Sequence, residues 1–92
     1  MINYINTSYK ELKRVFSEFE TDNFDDYKCQ CQFNVITPFG VIEIYDWKQG
    51  IKYQGEDEGI ELEDIEEFNL NCNAIKPENT IKAVEFVTNQ IK

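Results

Sequence analysis

The order of apolar and polar positions divides the chain into helix-like and strand-like stretches. In "SYKELKRVFSEFE" (residues 8–20), Tyr9, Leu12, Val15, Phe16 and Phe19 recur at helical spacing. Lys10, Lys13, Arg14 and Glu18 fall largely on the opposite side, so an amphipathic helix is predicted. Ser8 and Glu11 have the spacing of a capping box, in which each side chain satisfies an unpaired backbone donor of the first turn. Residues 27–37, "YKCQCQFNVIT", alternate instead. Tyr27, Cys29, Cys31, Phe33 and Val35 share one face, and Lys28, Gln30, Gln32 and Asn34 share the other. Period two over this length predicts a strand with one wet face. "TPFG" is a turn signal, with Pro38 presetting its own backbone angle and Gly40 free to adopt positive φ. "VIEIYDW" is then the returning strand, so residues 27–47 are predicted to form a β-hairpin. "KQG" turns the chain again into a short third strand, "IKYQ".

Further on, Phe68, Leu70 and Cys72 alternate with Glu67, Asn69 and Asn71 in "EEFNLNCNA", which predicts a fourth strand. Between them, Ile60, Leu62 and Ile65 fit no single period. Pro77 opens a second helix, where its missing N–H is harmless, and Glu78 suits the dipole of the first turn. Ile81, Val84, Val87 or Thr88, and Ile91 make its apolar stripe, with Ala83 and Phe86 beside it. The predicted order is therefore α-β-β-β-β-α. Each helix is stable only if its stripe is covered. The economical arrangement is a two-layer α+β sandwich, a four-stranded antiparallel sheet with two helices on one face. Gln30, Gln32 and Asn34 would lie on the other. No repeat and no linker rich in Pro or Ser interrupts the chain, so residues 1–92 read as one domain.

Composition supports a self-sufficient core. The 92 residues are 41% apolar, with seven Phe, five Tyr and one Trp, enough bulk to fold without metals or disulfides. No apolar run approaches the ~18 residues of a membrane span, and residues 1–9 lack the basic and apolar blocks of a signal peptide. A cytoplasmic protein is expected. The three cysteines, Cys29, Cys31 and Cys72, are odd in number and do not suit a closed disulfide framework. A tetrahedral zinc site needs about four ligands, and the chain has no histidine to complete one. Buried reduced thiols are expected, with no metal and no cofactor.

Enzyme chemistry lacks its parts. There is no histidine, no glycine-rich phosphate loop and no G-x-S-x-G elbow. "DEGIELEDIEE" has a superficial likeness to a calcium loop. Counting back from Gly59, however, puts Gln54, Glu56 and Glu58 where an EF-hand needs its aspartates. A catalytic carboxylate pair needs a cleft, whereas clustered acids on a small domain form a solvated face more often. A non-enzymatic role is expected.

Charge changes the picture most. The net charge is −9, yet from Tyr53 to Ile75 there are eight carboxylates and no Lys or Arg. The rest of the chain carries ten acidic and nine basic residues. The eight are Glu56, Asp57, Glu58, Glu61, Glu63, Asp64, Glu66 and Glu67. Asp22, Asp25 and Asp26 extend the set if their loop lies nearby. Such a surface disfavours direct binding to nucleic acid or anionic lipid and suits a basic partner. Neighbouring exposed carboxylates repel by roughly 1 kcal/mol per pair at ~4 Å in water. A hydrated loop tip tolerates that repulsion, and a decoy for phosphate exploits it. Fully extended at ~3.3 Å per residue, residues 56–67 carry one charge per ~5 Å, against one per ~1.7 Å in duplex DNA. A decoy therefore requires a compact patch or a dimer. "IYDWKQGIKY" places Tyr45, Trp47 and Tyr53 beside the acids. The preferred reading of Trp47 is core, because a small domain needs every large side chain, with an interface anchor as the alternative.

"ITPFGVIEIYDWK" (residues 36–48) resembles a segment of small uncharacterised phage proteins. In size, acidity and lack of enzyme motifs, the chain is similar to the acidic inhibitors that phages use against CRISPR or restriction systems. It is also similar to small acidic immunity proteins that cap basic nuclease toxins. The resemblance implies a non-enzymatic inhibitor of viral origin acting in a bacterial or archaeal host. Its partner would be a basic nucleic-acid-binding protein, a CRISPR effector or a restriction nuclease, met by an acidic, DNA-mimicking surface. No family motif transfers residue by residue, so the site follows charge. The eight acids would fill a Lys/Arg groove, with Trp47 or Tyr53 as anchor and Asp25 and Asp26 at the margin. Three alternatives stand beside this: toxin immunity through the same face, a structural or self-assembling subunit, and a small-ligand binder at a homodimer interface.

Overall fold

The computed structural model describes residues 3–73 and 76–91. A first strand, β1 (Asn3–Asn6), precedes helix α1 (Tyr9–Phe16), which tightens into a 3-10 turn (Ser17–Phe19) and runs into β2 (Glu20–Thr21). After a loop come β3 (Gln32–Thr37), β4 (Gly40–Tyr45) and a single helical turn, α2 (Ile51–Gln54). A second 3-10 turn (Leu62–Asp64), β5 (Glu67–Asn73) and the long helix α3 (Pro77–Ile91) complete the order. The five strands form one antiparallel sheet, β1-β5-β4-β3-β2. The α+β class is as predicted. Among the described residues the count is corrected from four strands and two helices to five strands and three helices.

The hairpin forms where the alternation places it. Thr37 pairs with Gly40 across the turn, and its hydroxyl donates to the Gly40 carbonyl at 2.6 Å and accepts the Phe39 N–H at 3.1 Å. Its first strand is shorter than predicted, because residues 27–31 leave the sheet. The cause is Asp46, fully buried just past β4. Its Oδ1 accepts the backbone N–H groups of Gln30 at 2.7 Å and Cys31 at 3.0 Å. Donors that a longer strand would give to a ladder go to a carboxylate instead. "IKYQ" is also corrected, from strand to helical turn. Gly50 enters it extended, and the Gly55 N–H closes it on the Ile51 carbonyl at 2.8 Å. The strand predicted at "EEFNLNCNA" is present as Glu67–Asn73, and Ala74 lies outside the described residues.

Both helices cover one face. Leu12 and Phe16 of α1 and Ala83 and Val87 of α3 pack with Phe33, Val35, Ile42, Ile44, Phe68 and Leu70 of the sheet. Burying each large apolar side chain in that layer contributes about 2 kcal/mol. The stripe of α3 is centred on Ala83 and Val87, and Ile81, predicted to belong to it, is exposed. At the start of α1, Ser8 Oγ accepts the Glu11 N–H at 3.2 Å, one half of the capping box. The Glu11 carboxylate turns to Arg14 instead of returning to Ser8, at 2.6 and 3.0 Å. Among the described residues, no helix is long and apolar enough to cross a membrane.

Candidate functional site

The acidic segment is folded. Gly59 N–H bonds the Gly55 carbonyl at 2.8 Å, closing a turn that carries Glu56, Asp57 and Glu58, and Ile60 N–H bonds the Gln49 carbonyl at 2.8 Å. Only glycine fits at 59, because a Cβ there would lie 2.3 Å from Ile51 Cα. Glu63 and Asp64 ride on the 3-10 turn, whose Leu62 packs against the core, and Ile65 behind it is fully buried. Glu66 accepts the Thr7 N–H on its carbonyl at 3.0 Å, and Glu67 opens β5. Buried apolar residues thus pin a segment whose charges all face water. Glu56, Asp57, Glu58, Glu61, Glu63, Asp64, Glu66 and Glu67 are each exposed. Among the described residues, none of them forms an ion pair. The ion pairs present lie elsewhere: Lys13–Glu20 at 3.3 Å, Arg14–Glu11 at 2.6 Å and Lys52–Asp26 at 3.3 Å. Glu63 stands apart from its neighbours in one respect, since it lines a recess with Tyr9, Lys10, Lys13 and Arg14.

The loop of Asp25 and Asp26 lies against residues 51–60. Lys52 reaches Asp26, Gln30 Nε2 donates to the Ile60 carbonyl at 3.0 Å, and the rings of Tyr27 and Tyr53 sit 5.2 Å apart. Trp47 is 40% exposed and stands outside the core, which corrects the preferred sequence reading of it. Its ring meets Tyr45 edge-on at 6.0 Å, and the ammonium groups of Lys28 and Lys48 each lie 5.5 Å from its centre. Lys48 also reaches Tyr53, at 5.4 Å, and holds a left-handed backbone (φ 60) that redirects the chain after Trp47. Tyr53 and Trp47 therefore share a basic neighbour, between the acidic segment and the sheet.

The helix-free face of the sheet has an order of its own. Pairing aligns Thr21, Gln32, Tyr45, Asn69 and Tyr4 in one row across all five strands, and Asn34, Glu43 and Asn71 in the next. Glu43 is the only charged residue in β3 or β4. Its carboxylate accepts Asn71 Nδ2 at 2.9 Å and Gln32 Nε2 at 3.3 Å. Above these rows opens a cavity of about 350 Å³. Phe24, Tyr45 and Trp47 supply its aromatic wall, Asp25 and Glu43 its carboxylates, Gln32, Asn69 and Asn71 its amides. Cys29 closes one side, and burial, then Asp46 and Asp25, push its thiol up to about 11. Cys31 lies in the core on the other side of the sheet, and burial drives its thiol further up. The predicted shared strand face of the two thiols is therefore corrected: the loop sends them to different environments.

Of the sequence-predicted residues, this cavity gathers Asp25 and Trp47, while the eight acids of residues 56–67 lie outside its walls. Phe24, Gln32, Glu43, Asn69 and Asn71 were not anticipated as site residues, and Tyr45 was read only as one of the aromatics beside the acids. The available signal was Glu43, the lone charge in the otherwise neutral segments 32–37 and 40–45. No family model matches the chain, and neither a curated protein nor a solved structure matches it.

Proposed function

We propose that the protein is a non-enzymatic inhibitor that docks its acidic segment into the nucleic-acid groove of a basic host protein, such as a CRISPR effector or a restriction nuclease. The observation that carries this reading is the state of the eight carboxylates between Glu56 and Glu67. All are exposed, and among the described residues none is neutralised by an ion pair, although Lys13, Arg14 and Lys52 are engaged with other acids. Compaction supports it as well. A 3-10 turn advances ~2.0 Å per residue against ~3.3 Å in an extended strand, which raises the linear charge density. Pinning by Leu62 and Ile65 lowers the ordering cost at docking. Association would be electrostatically steered and would weaken steeply with salt.

The test is affinity capture from host lysate with the wild-type protein and with a variant reversed at Glu61, Asp64 and Glu66 to lysine. The expected result is a basic nucleic-acid-binding protein retained at low salt, released at high salt, displaced by nucleic acid and lost by the variant. A variant that captures and inhibits as well as wild type would remove the acidic segment from the mechanism.

A further inference from the structure

The acidic segment plays no part in the cavity on the helix-free face, whose walls follow a different chemical logic. We propose that this cavity binds a guanidinium group. Its charge is one-sided, because Asp25 and Glu43 line it and no Lys or Arg does. Its carboxamides partly fix one another and the Glu43 carboxylate. Gln32 spends both amide hydrogens, on Asn34 Oδ1 at 2.8 Å and Glu43 Oε2 at 3.3 Å, and Asn71 spends one on Glu43 Oε1 at 2.9 Å. Asn69 stands opposite Tyr45 in the ladder. The amide oxygens and the unused lone pairs of the two carboxylates supply acceptors, beside donors on Tyr45, Trp47, Asn69 and Asn71.

A guanidinium group brings five N–H donors in a plane and no acceptor, and it stacks on aromatic faces such as those of Tyr45 and Phe24. An ammonium is a compact, strongly hydrated point charge that uses neither the plane nor the stack. The carboxylate of Glu43 is already held by two amides, so it needs no rearrangement to receive the ligand. The ammonium groups of Lys28 and Lys48 each lie 5.5 Å from the centre of the Trp47 ring. They disfavour a cation at that end of the cavity and leave the Glu43 end as its place. A cavity of about 350 Å³ holds one side-chain-sized group. The group is supplied either by a small free guanidine or by an arginine side chain of another protein. The site stands or falls independently of the inhibitor reading.

Trp47, the only tryptophan, reports on occupancy by its fluorescence. The protein is titrated with acetyl-arginine amide, with the neutral isostere acetyl-citrulline amide, with agmatine and with a short arginine-containing peptide. A saturable change is expected for the charged probes, with citrulline weaker by about tenfold, the value of one charge-assisted hydrogen bond. Glu43→Gln and Asp25→Asn should each weaken the arginine probe by about the same factor. Asp25→Asn keeps the acceptor that holds the Tyr27 N–H, so it tests the site if Glu43→Gln disturbs the sheet. Tighter binding of agmatine assigns the group to a free guanidine, and tighter binding of the peptide assigns it to a protein arginine. Equal binding of citrulline, no saturation with any charged probe, or wild-type affinity in folded Asp25→Asn would overturn the proposal.

Discussion

Asp46 and Gln30 are joined twice: Oδ1 of the buried carboxylate accepts the Gln30 backbone N–H at 2.7 Å, and Oδ2 accepts its side-chain amide at 3.1 Å. The same Oδ1 takes the Cys31 N–H at 3.0 Å. Asp46 therefore organises the end of the loop that carries Asp25 and Cys29. Asp46→Ala leaves two backbone donors without their acceptor, each costing about 1–3 kcal/mol, so a loss of about 3 kcal/mol is expected. Urea denaturation checks it. A midpoint within error of wild type would show that the loop is held by other contacts.

Gly59 is the second sensitive point. A Cβ at 59 meets backbone atoms of Ile51 at 2.3 and 2.6 Å, and backbone cannot swing aside. Gly59→Ala should destabilise by about 1–3 kcal/mol, as overpacking does, and should loosen the turn that presents Glu56, Asp57 and Glu58. Hydrogen exchange at the Gly59 and Ile60 amides, together with thermal unfolding, reads both effects.

The cysteines carry a pH signature. Cys29 holds its proton up to about 11 in the folded chain, against an ordinary value of 9.0. The folded state thus binds the proton more tightly, so this contribution is intact below pH 9. It declines between 9 and 11, as the unfolded thiol ionises first. Unfolding measured across that range for wild type and Cys29→Ala should show a shallower decline in the variant. At neutral pH, alkylation should label half-buried Cys72 first and spare the buried Cys29 and Cys31 until denaturant is added.

Ser8→Ala removes the acceptor for the Glu11 N–H and should cost about 1 kcal/mol, read as a lowered thermal midpoint. Full retention of stability would mean that the first turn of α1 is held by its packing alone.

What the sequence revealed, and what it hid, follows from where each segment gets its stability. The hairpin, α1 and β5 are legible because their own periodicity names the buried face, as Phe33, Val35, Ile42 and Ile44 do, whereas α3 is legible as a helix but its buried face is centred on Ala83 and Val87 with Ile81 exposed. β1 and β2 are four and two residues long, and they are strands because a neighbour offers them a ladder. Ile51 and Tyr53 alternate like a strand, but Gly50 and Gly55 bracket them as one helical turn. In residues 27–31 the alternation is genuine and the ladder is absent, because Asp46, read only as part of the returning strand, captures the donors. The exposed acids were legible from charge alone. The cavity was not, since it is assembled by register: Gln32, Tyr45 and Asn69 become neighbours only when three strands align.

The strand order also governs when the molecule can finish itself. Among the described residues, β1 at residues 3–6 finds its only ladder on β5, Asn6 against Glu67 and Ile5 against Phe68. Between them lie the whole hairpin and the acidic segment, a loop whose closure entropy must be met before any pairing rewards it. During synthesis this ladder cannot form until residues 67–70 have left the ribosome. The edge of the sheet nearest the start of the chain is therefore among the last parts to form.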